Sequence, residues 1–259
     1  MLDEDAYATV SVAVEDGIAE ITLDRPEKYN ALNDAAMLDL QRAFGEITLD
    51  RSIDAVVLAG EGEDAFSAGA DIEQYAGPAA DHDPMQKDRQ DLFHEVYTAP
   101  REAHPPVIAK IDGYCVGGGL ILASYCDIRI AAEGAEFGVP TCDIGQIPTG
   151  GSTFRLSRLV GEAKAKELVF TAGYVGAEEA GRIGLVNDVV PGEKLDEAVA
   201  GIVAAIQDTG REAVKASKET INRVTDTADP GTARGIEREA WWDQFATEER
   251  RRLVDEFNE

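Results

Sequence analysis

Apolar and polar positions alternate near the amino terminus. Residues 7–23 carry two such runs, YATVSVAVE and IAEITLD, parted by Asp16 and Gly17. A period of two puts apolar side chains on one strand face, and Asp-Gly suits the positive φ of a tight turn, so the pattern predicts a β-hairpin. The segment DRPEKYNAL has a proline and no period, which predicts a loop, with Asn33 or Asp34 capping a helix through Leu49. Asp54 to Ala59 (DAVVLA) reads as a buried strand ending in the turn GEGED. After FSAGAD, the aperiodic stretch AGPAADHDPMQ (76–86) reads as a mobile loop, followed by a helix from about Gln86 to Arg101.

The second half repeats the theme. VIAKI (107–111) predicts a strand, GYCVGGGLILASYCD (113–127) a turn and then a buried helix, and DIRIAA another strand. GVPTCDIGQIPTGG is an irregular Gly/Pro loop, and GSTFRLSRLVG opens a helix. Beyond residue 190 the period is helical: Leu195, Ala198, Val199, Ile202, Val203 and Ile206 share one face. Residues 232–257 read as helical, with Trp241, Trp242 and Phe245 clustered. The sum is an α/β core over 1–190 and a helical region over 191–259. The pattern alone does not establish a strand–strand–helix repeat.

Composition narrows the class. A chain of 259 residues that is 44% hydrophobic and 29% charged fits one large folded domain, or a core with a small addition. No run reaches the roughly 18 apolar residues that span a bilayer. The start, MLDEDAYATV, has no basic region followed by an apolar one, so a soluble cytoplasmic protein is expected. Cys115, Cys126 and Cys142 lack CxxC spacing and are expected as buried small apolar side chains. His82, His94 and His104 stand at no zinc-site spacing, so no metal is expected.

Charge changes the picture most. Fifty acidic residues against 24 basic ones give a formal net charge of −26, spread along the whole chain. Such a surface repels nucleic acid and anionic lipid, and it repels itself until salt shortens the Debye length to about 3 Å at 1 M. Arginine also outnumbers lysine. The pattern predicts a protein of a salt-accumulating cell. Its Tm and its affinity for a polyanionic ligand are expected to rise from low salt to molar KCl. A Tm that stays flat or falls over that range would overturn the expectation.

Candidate chemistry sits in two glycine-rich spots, each after a strand: FSAGAD (66–71) and GYCVGGG (113–119). Glycines at a helix start let a ligand approach the backbone, where unpaired N–H groups and the positive end of the dipole suit an anion or a carbonyl gaining charge. The same glycines also serve close helix packing, and the pattern alone leaves both open. Neither GxGxxG nor GxxxxGK[ST] is present, which argues against a nucleotide site.

The segments DRPEKYNAL, VVLAGEGEDAFSAGADI, PPVIAKIDGYCVGGGLILASYCDIRIA, AEFGVP, IPTGG and RLVGEAKAKELVFTAG, in this order and spacing, resemble the crotonase (enoyl-CoA hydratase/isomerase) family over nearly the whole chain. The resemblance implies a crotonase-like ββα spiral core with C-terminal helices, assembled as trimers or dimers of trimers. It implies an acyl-CoA thioester as substrate, coenzyme A being part of that substrate and no other cofactor needed. It places two oxyanion donors at the N–H groups of Ala70 and Gly118. Ala68, Asp71, Ile72 and Gly117 lie beside them as substrate-binding positions, and Arg25 and Lys28 are candidates for the CoA phosphates. Asp71 also suits a helix cap.

The chain departs from the family at the acid–base positions. The two glutamates of family hydratases correspond to Ile121 and Thr141, and the acid of some isomerases to Thr149. Isoleucine takes no proton, and a threonine hydroxyl is far too weak a base near pH 7. His94 stands where certain family dehalogenases direct a histidine at the acyl pocket, and Asp143 lies two residues past Thr141; each equally suits a solvent-facing position. Tyr97 suits either a hydrogen bond to substrate or the core. The chain ends at Phe257-Asn258-Glu259 without the family's basic tail, which implies altered nucleotide contacts. Two functions follow: enolate chemistry on an acyl-CoA, as isomerase, decarboxylase or thioester hydrolase in preference to simple hydratase, or an acyl-CoA-binding protein without catalysis. No serine stands in a GxSxG context that would support a peptidase.

Overall fold

The computed structural model describes residues 7–75 and 86–258. The aperiodic stretch at 76–85, with His82, lies outside them. Strands β1 (Val10–Glu15) and β2 (Ile18–Leu23) form the expected hairpin, with Asp16 and Gly17 at φ 48° and 79°. Helix α1 (Asp34–Leu49) begins at Asn33, whose side chain accepts a hydrogen bond from the Ala36 N–H.

From β3 (Ala55–Gly60) the chain winds in a strand–strand–helix repeat. β3 leads to β4 (Ala65–Ser67) and α2 (Gln86–Glu102). β5 (Val107–Ile111) leads to β6 (Tyr114–Val116) and α3 (Gly118–Tyr125). β7 (Ile128–Ala132) leads to β8 (Glu136–Gly138), α4 (Ser152–Val160) and α5 (Glu162–Thr171). Then come β9 (Tyr174–Gly176), α6 (Ala177–Arg182) and β10 (Asp188–Val190). The first strand of each repeat joins a six-stranded sheet, β1-β2-β3-β5-β7-β10, and the second a four-stranded sheet, β4-β6-β8-β9. Pairing is parallel except at β1 and β9. This is the expected ββα spiral.

Helix α7 (Leu195–Gln207) lays Leu195, Val199 and Val203 on Ala55, Val57, Ile108, Ile130 and Ala132, the outer face of the large sheet. The first helix past residue 190 thus completes the core's second layer. It also accounts for the unbroken apolar run in β3, which is covered on both faces. Helix α8 (Arg211–Thr225) buries Lys215 and Lys218. The stretch read as helical over 232–257 forms two helices, α9 (Pro230–Phe245) and α10 (Glu248–Phe257), because the Thr247 side chain accepts from the Arg250 N–H and starts a new cap. Neither helix buries a residue. Cys115 and Cys126 are buried, and burial pushes the Cys126 thiol up to about 12, whereas Cys142 is exposed.

Candidate active site

The loop after β4 is pinned from several sides. Buried Asn30 donates from Nδ2 to the carbonyls of Ala65 (2.7 Å) and Glu61 (3.0 Å) and accepts from the Arg25 N–H. The Ser67 hydroxyl donates to the Asn30 carbonyl and accepts from the Gly69 N–H. The N–H groups of Ala68 and Asp71 donate to the carbonyls of Tyr29 and Leu32. Among the described residues, the Ala70 N–H is left without a protein acceptor, and it borders two cavities.

Gly118 faces it from the start of α3. As the first residue of the helix its N–H has no acceptor in the ladder. The two donors are close: a Cβ built on Gly118 would lie 3.3 Å from the Ala70 nitrogen, and one on Gly69 (φ +87°) would lie 2.7 Å from the Gly118 nitrogen. Gly117, at φ 52° and ψ −125°, has a backbone that side chains resist, and any Cβ on Gly119 would meet the Ser67 carbonyl at 2.5 Å. The glycines therefore serve both readings, close packing and an open approach to two free N–H groups.

These donors sit where two cavities meet. One, of about 440 Å³, is lined by Ile72, Phe93, Tyr97, Ile121, Val139 and Pro148, with Thr141, Gln146 and Thr149 as polar wall. The other, of about 480 Å³, is lined by Tyr29, Tyr114, Tyr174, Pro140 and Asp143. Ala70, Ile72, Gly117, Gly118, Thr141 and Ile144 border both. An elongated ligand with a carbonyl at the junction can place an apolar arm in the first cavity and a longer arm in the second. Among the described residues lining the first cavity there is no carboxylate, histidine or lysine.

The remaining candidates fall in different places. His94 is exposed and borders neither cavity; Phe93 and Tyr97, four residues apart, form the inward face of α2, and His94 is turned about 100° from Phe93. Asp143 is exposed on the 3-10 turn Pro140–Ile144 and lines the second cavity only. Asp71 and Arg25 form an ion pair at 3.0 Å with side chains 10% and 15% exposed, and Arg25 also donates to the Ala31 carbonyl. They brace the loop rather than line a cavity. Lys28 is exposed and held by Glu73 at 2.7 Å, which raises its pKa. Ala68 borders the second cavity. Sequence reasoning did not find the tyrosines of the second cavity, nor Ile144 and Ile147. The spacing of Phe93 and Tyr97 was the available signal for the inward face of α2. Tyr97 is buried, with its hydroxyl close to Gly118: a Cβ there would lie 2.3 Å from Oη.

The sequence profile of the enoyl-CoA hydratase/isomerase family matches residues 13–259. The chain belongs to this family. It is 39% identical to a short-chain-enoyl-CoA hydratase of Clostridium acetobutylicum over 95% of its length and 92% of the relative's. It is 36% identical to a crotonyl-CoA hydratase of Syntrophomonas wolfei over 98% of its length and 96% of the relative's. Among solved structures, an enoyl-CoA hydratase from Bacillus anthracis superposes with a TM-score of 0.92 at 33% identity, covering 97% of this chain and 96% of that one. The protein is thus a family enzyme acting on acyl-CoA, with a crotonase fold. No helix among the described residues is long and apolar enough to cross a membrane, and none of their His, Cys, Asp and Glu side chains cluster as a metal site.

Proposed function

We propose that the enzyme holds the acyl-CoA thioester carbonyl between the N–H groups of Ala70 and Gly118 and stabilises the enolate formed there. The observation that carries the reading is the pair of N–H groups converging at the junction of two cavities. Donors fixed in advance at a developing oxyanion lower the barrier because they need no reorganisation. Isomerisation, decarboxylation or thioester hydrolysis is favoured over hydration, since each asks for fewer acid–base groups than the pair a hydratase uses, and Ile121 and Thr141 supply neither member of that pair. Gly117, Ile72, Ala68, Ile121 and Thr141 contact the substrate in this reading. Arg25 and Asp71 contribute by bracing the loop, and Lys28 stays near the mouth. Proton transfer is not assigned to His94, which borders neither cavity, or to Asp143, which lines only the second.

Turnover of a panel of CoA esters, enoyl, β-carboxyacyl and saturated, measured beside direct binding, tests the proposal. Binding of the whole panel without turnover would instead favour the non-catalytic reading. Tyr97 is the buried hydroxyl beside the donors. Tyr97→Phe is expected to lower kcat by about 10²-fold if its O–H assists the proton step, with the Kd for a CoA thioester little changed. An unchanged kcat would confine Tyr97 to packing.

Assembly into trimers or pairs of trimers belongs to the same proposal, with residues 191–259 as the oligomerisation region. What supports it is the exposed ring cluster on α9: Trp241 and Trp242 are 55% and 57% exposed, with ring centroids 4.8 Å apart. Exposed aromatic patches of this kind mark association surfaces. Light scattering of the wild type is expected to give three or six chains, and a monomer would overturn the assignment.

A further inference from the structure

A third cavity, of about 320 Å³, lies among the turn after α1, the turn after α2 and helix α8, and shares no lining residue with the two described above. Its walls carry Arg51, Arg101, His104, Lys215, Lys218 and Arg223 against Glu102, Glu219 and Asp226. In a chain with twice as many acids as bases, a recess with an excess of cations calls for a reason.

Three of the five cations are accounted for. Lys218 is held by Asp127 at 2.7 Å and by the carbonyls of Pro100 and Pro105. Arg101 pairs with Asp226 at 3.0 Å and donates to the Asn222 carbonyl. Arg223 stands near Glu219 and Glu239. Arg51, His104 and Lys215 are different. The Arg51 guanidinium donates to His104 Nε2, which leaves the ring proton on Nδ1, and Lys215, only 2% exposed, donates to the Arg51 carbonyl at 3.2 Å. Among the described residues no carboxylate forms an ion pair with Arg51 or Lys215. Two cations and an imidazole thus face one another. A buried ammonium with one backbone acceptor has donors to spare, and leaving such a charge uncompensated is costly.

We propose that this recess binds a small phosphoryl oxyanion, gripped by Arg51, His104 and Lys215. A tetrahedral oxyanion would accept from the guanidinium fork, the imidazole N–H and the ammonium together, and would neutralise their mutual repulsion. Burial, followed by Arg51 and Lys215, holds the His104 pKa below its ordinary value. Glu212 and Glu219 act in the opposite sense on His104, and Asp54 on Lys215, where Asp54 is already paired with Arg211 at 2.9 Å.

Thermal unfolding of the full chain is compared in inorganic phosphate, glycerol phosphate and chloride, all adjusted with KCl to one ionic strength. At about five times its Kd, phosphate or the phosphomonoester should raise Tm by roughly 2–4 °C beyond chloride. Glycerol phosphate acting while phosphate does not would assign the site to a phosphate ester; the reverse would assign it to the free ion. Arg51→Gln and His104→Gln alter partly exposed side chains and should abolish the excess while leaving acyl-CoA turnover unchanged. Broadening of the phosphate ³¹P resonance by wild type, lost in both variants, gives a readout independent of stability. A Tm no higher in either phosphate than in matched chloride, or an excess that persists in both variants, would overturn the proposal.

Discussion

Gly118→Pro is expected to lower acyl-CoA turnover by at least about 10²-fold while the protein stays folded, because proline removes one of the two N–H groups proposed to hold the thioester oxygen. Gly118 opens helix α3, and the first helical position is where proline is best tolerated. The substitution has a second effect, however. Any Cβ at this residue meets Tyr97 Oη at 2.3 Å and comes within 3.3 Å of the Ala70 nitrogen. Gly118→Ala therefore belongs beside it, since alanine adds the same Cβ and keeps the donor, without the ring carbons that proline places at the nitrogen. Proline should be much the worse of the two, and the difference between them reports the N–H together with the closing of its site by the proline ring. Equal losses would assign the effect to displacement of Tyr97. Full activity in a folded proline variant would place the oxyanion donors elsewhere.

Much of this site was legible because its parts are backbone features that leave marks in sequence. Positive-φ glycines at 69 and 117 appear as FSAGAD and GYCVGGG, and Asp-Gly at 16–17 appears as a hairpin turn. The continuous apolar run of β3 foretold a strand buried on both faces, and the face of α7 was visible through Leu195, Val199 and Val203. The spiral itself was hidden. β4, β6, β8 and β9 have three residues each, too few for a period of two to declare itself, and β6 lies inside a segment that reads as a turn. Exposed His94 shows a different limit. Its residue type drew the eye, whereas the phase of α2, set by Phe93 and Tyr97, decides what faces the cavity. The unpaired cations at Arg51 and Lys215 come from α8 packing on two turns more than a hundred residues away, a juxtaposition no local pattern carries.

Wild-type protein is expected to hydrate crotonyl-CoA poorly or not at all. Its relatives include proteins named as hydratases, so the expectation rests on the lining of the acyl cavity. Ile121 is 3% exposed there and Thr141 faces both cavities, and neither can take a proton from water near pH 7. An acid–base partner typically contributes about 10²–10⁴-fold, so losing both should leave little activity. Ile121→Glu together with Thr141→Glu should raise hydration above wild type, and either change alone should do much less. The gain is limited by two effects the structure makes plain. Ile121 belongs to the main apolar core, so a carboxylate there loses solvation and costs stability. Its pKa would also be driven up, leaving part of it protonated and idle as a base. Thr141 is half-buried on a 3-10 turn, and a glutamate there has no partner to hold its geometry. The wild-type assay is therefore the sharper half of the experiment. Brisk hydration by the unaltered enzyme would mean that a group outside Ile121 and Thr141 moves the proton, and the preference for isomerase, decarboxylase or hydrolase chemistry would fall with it.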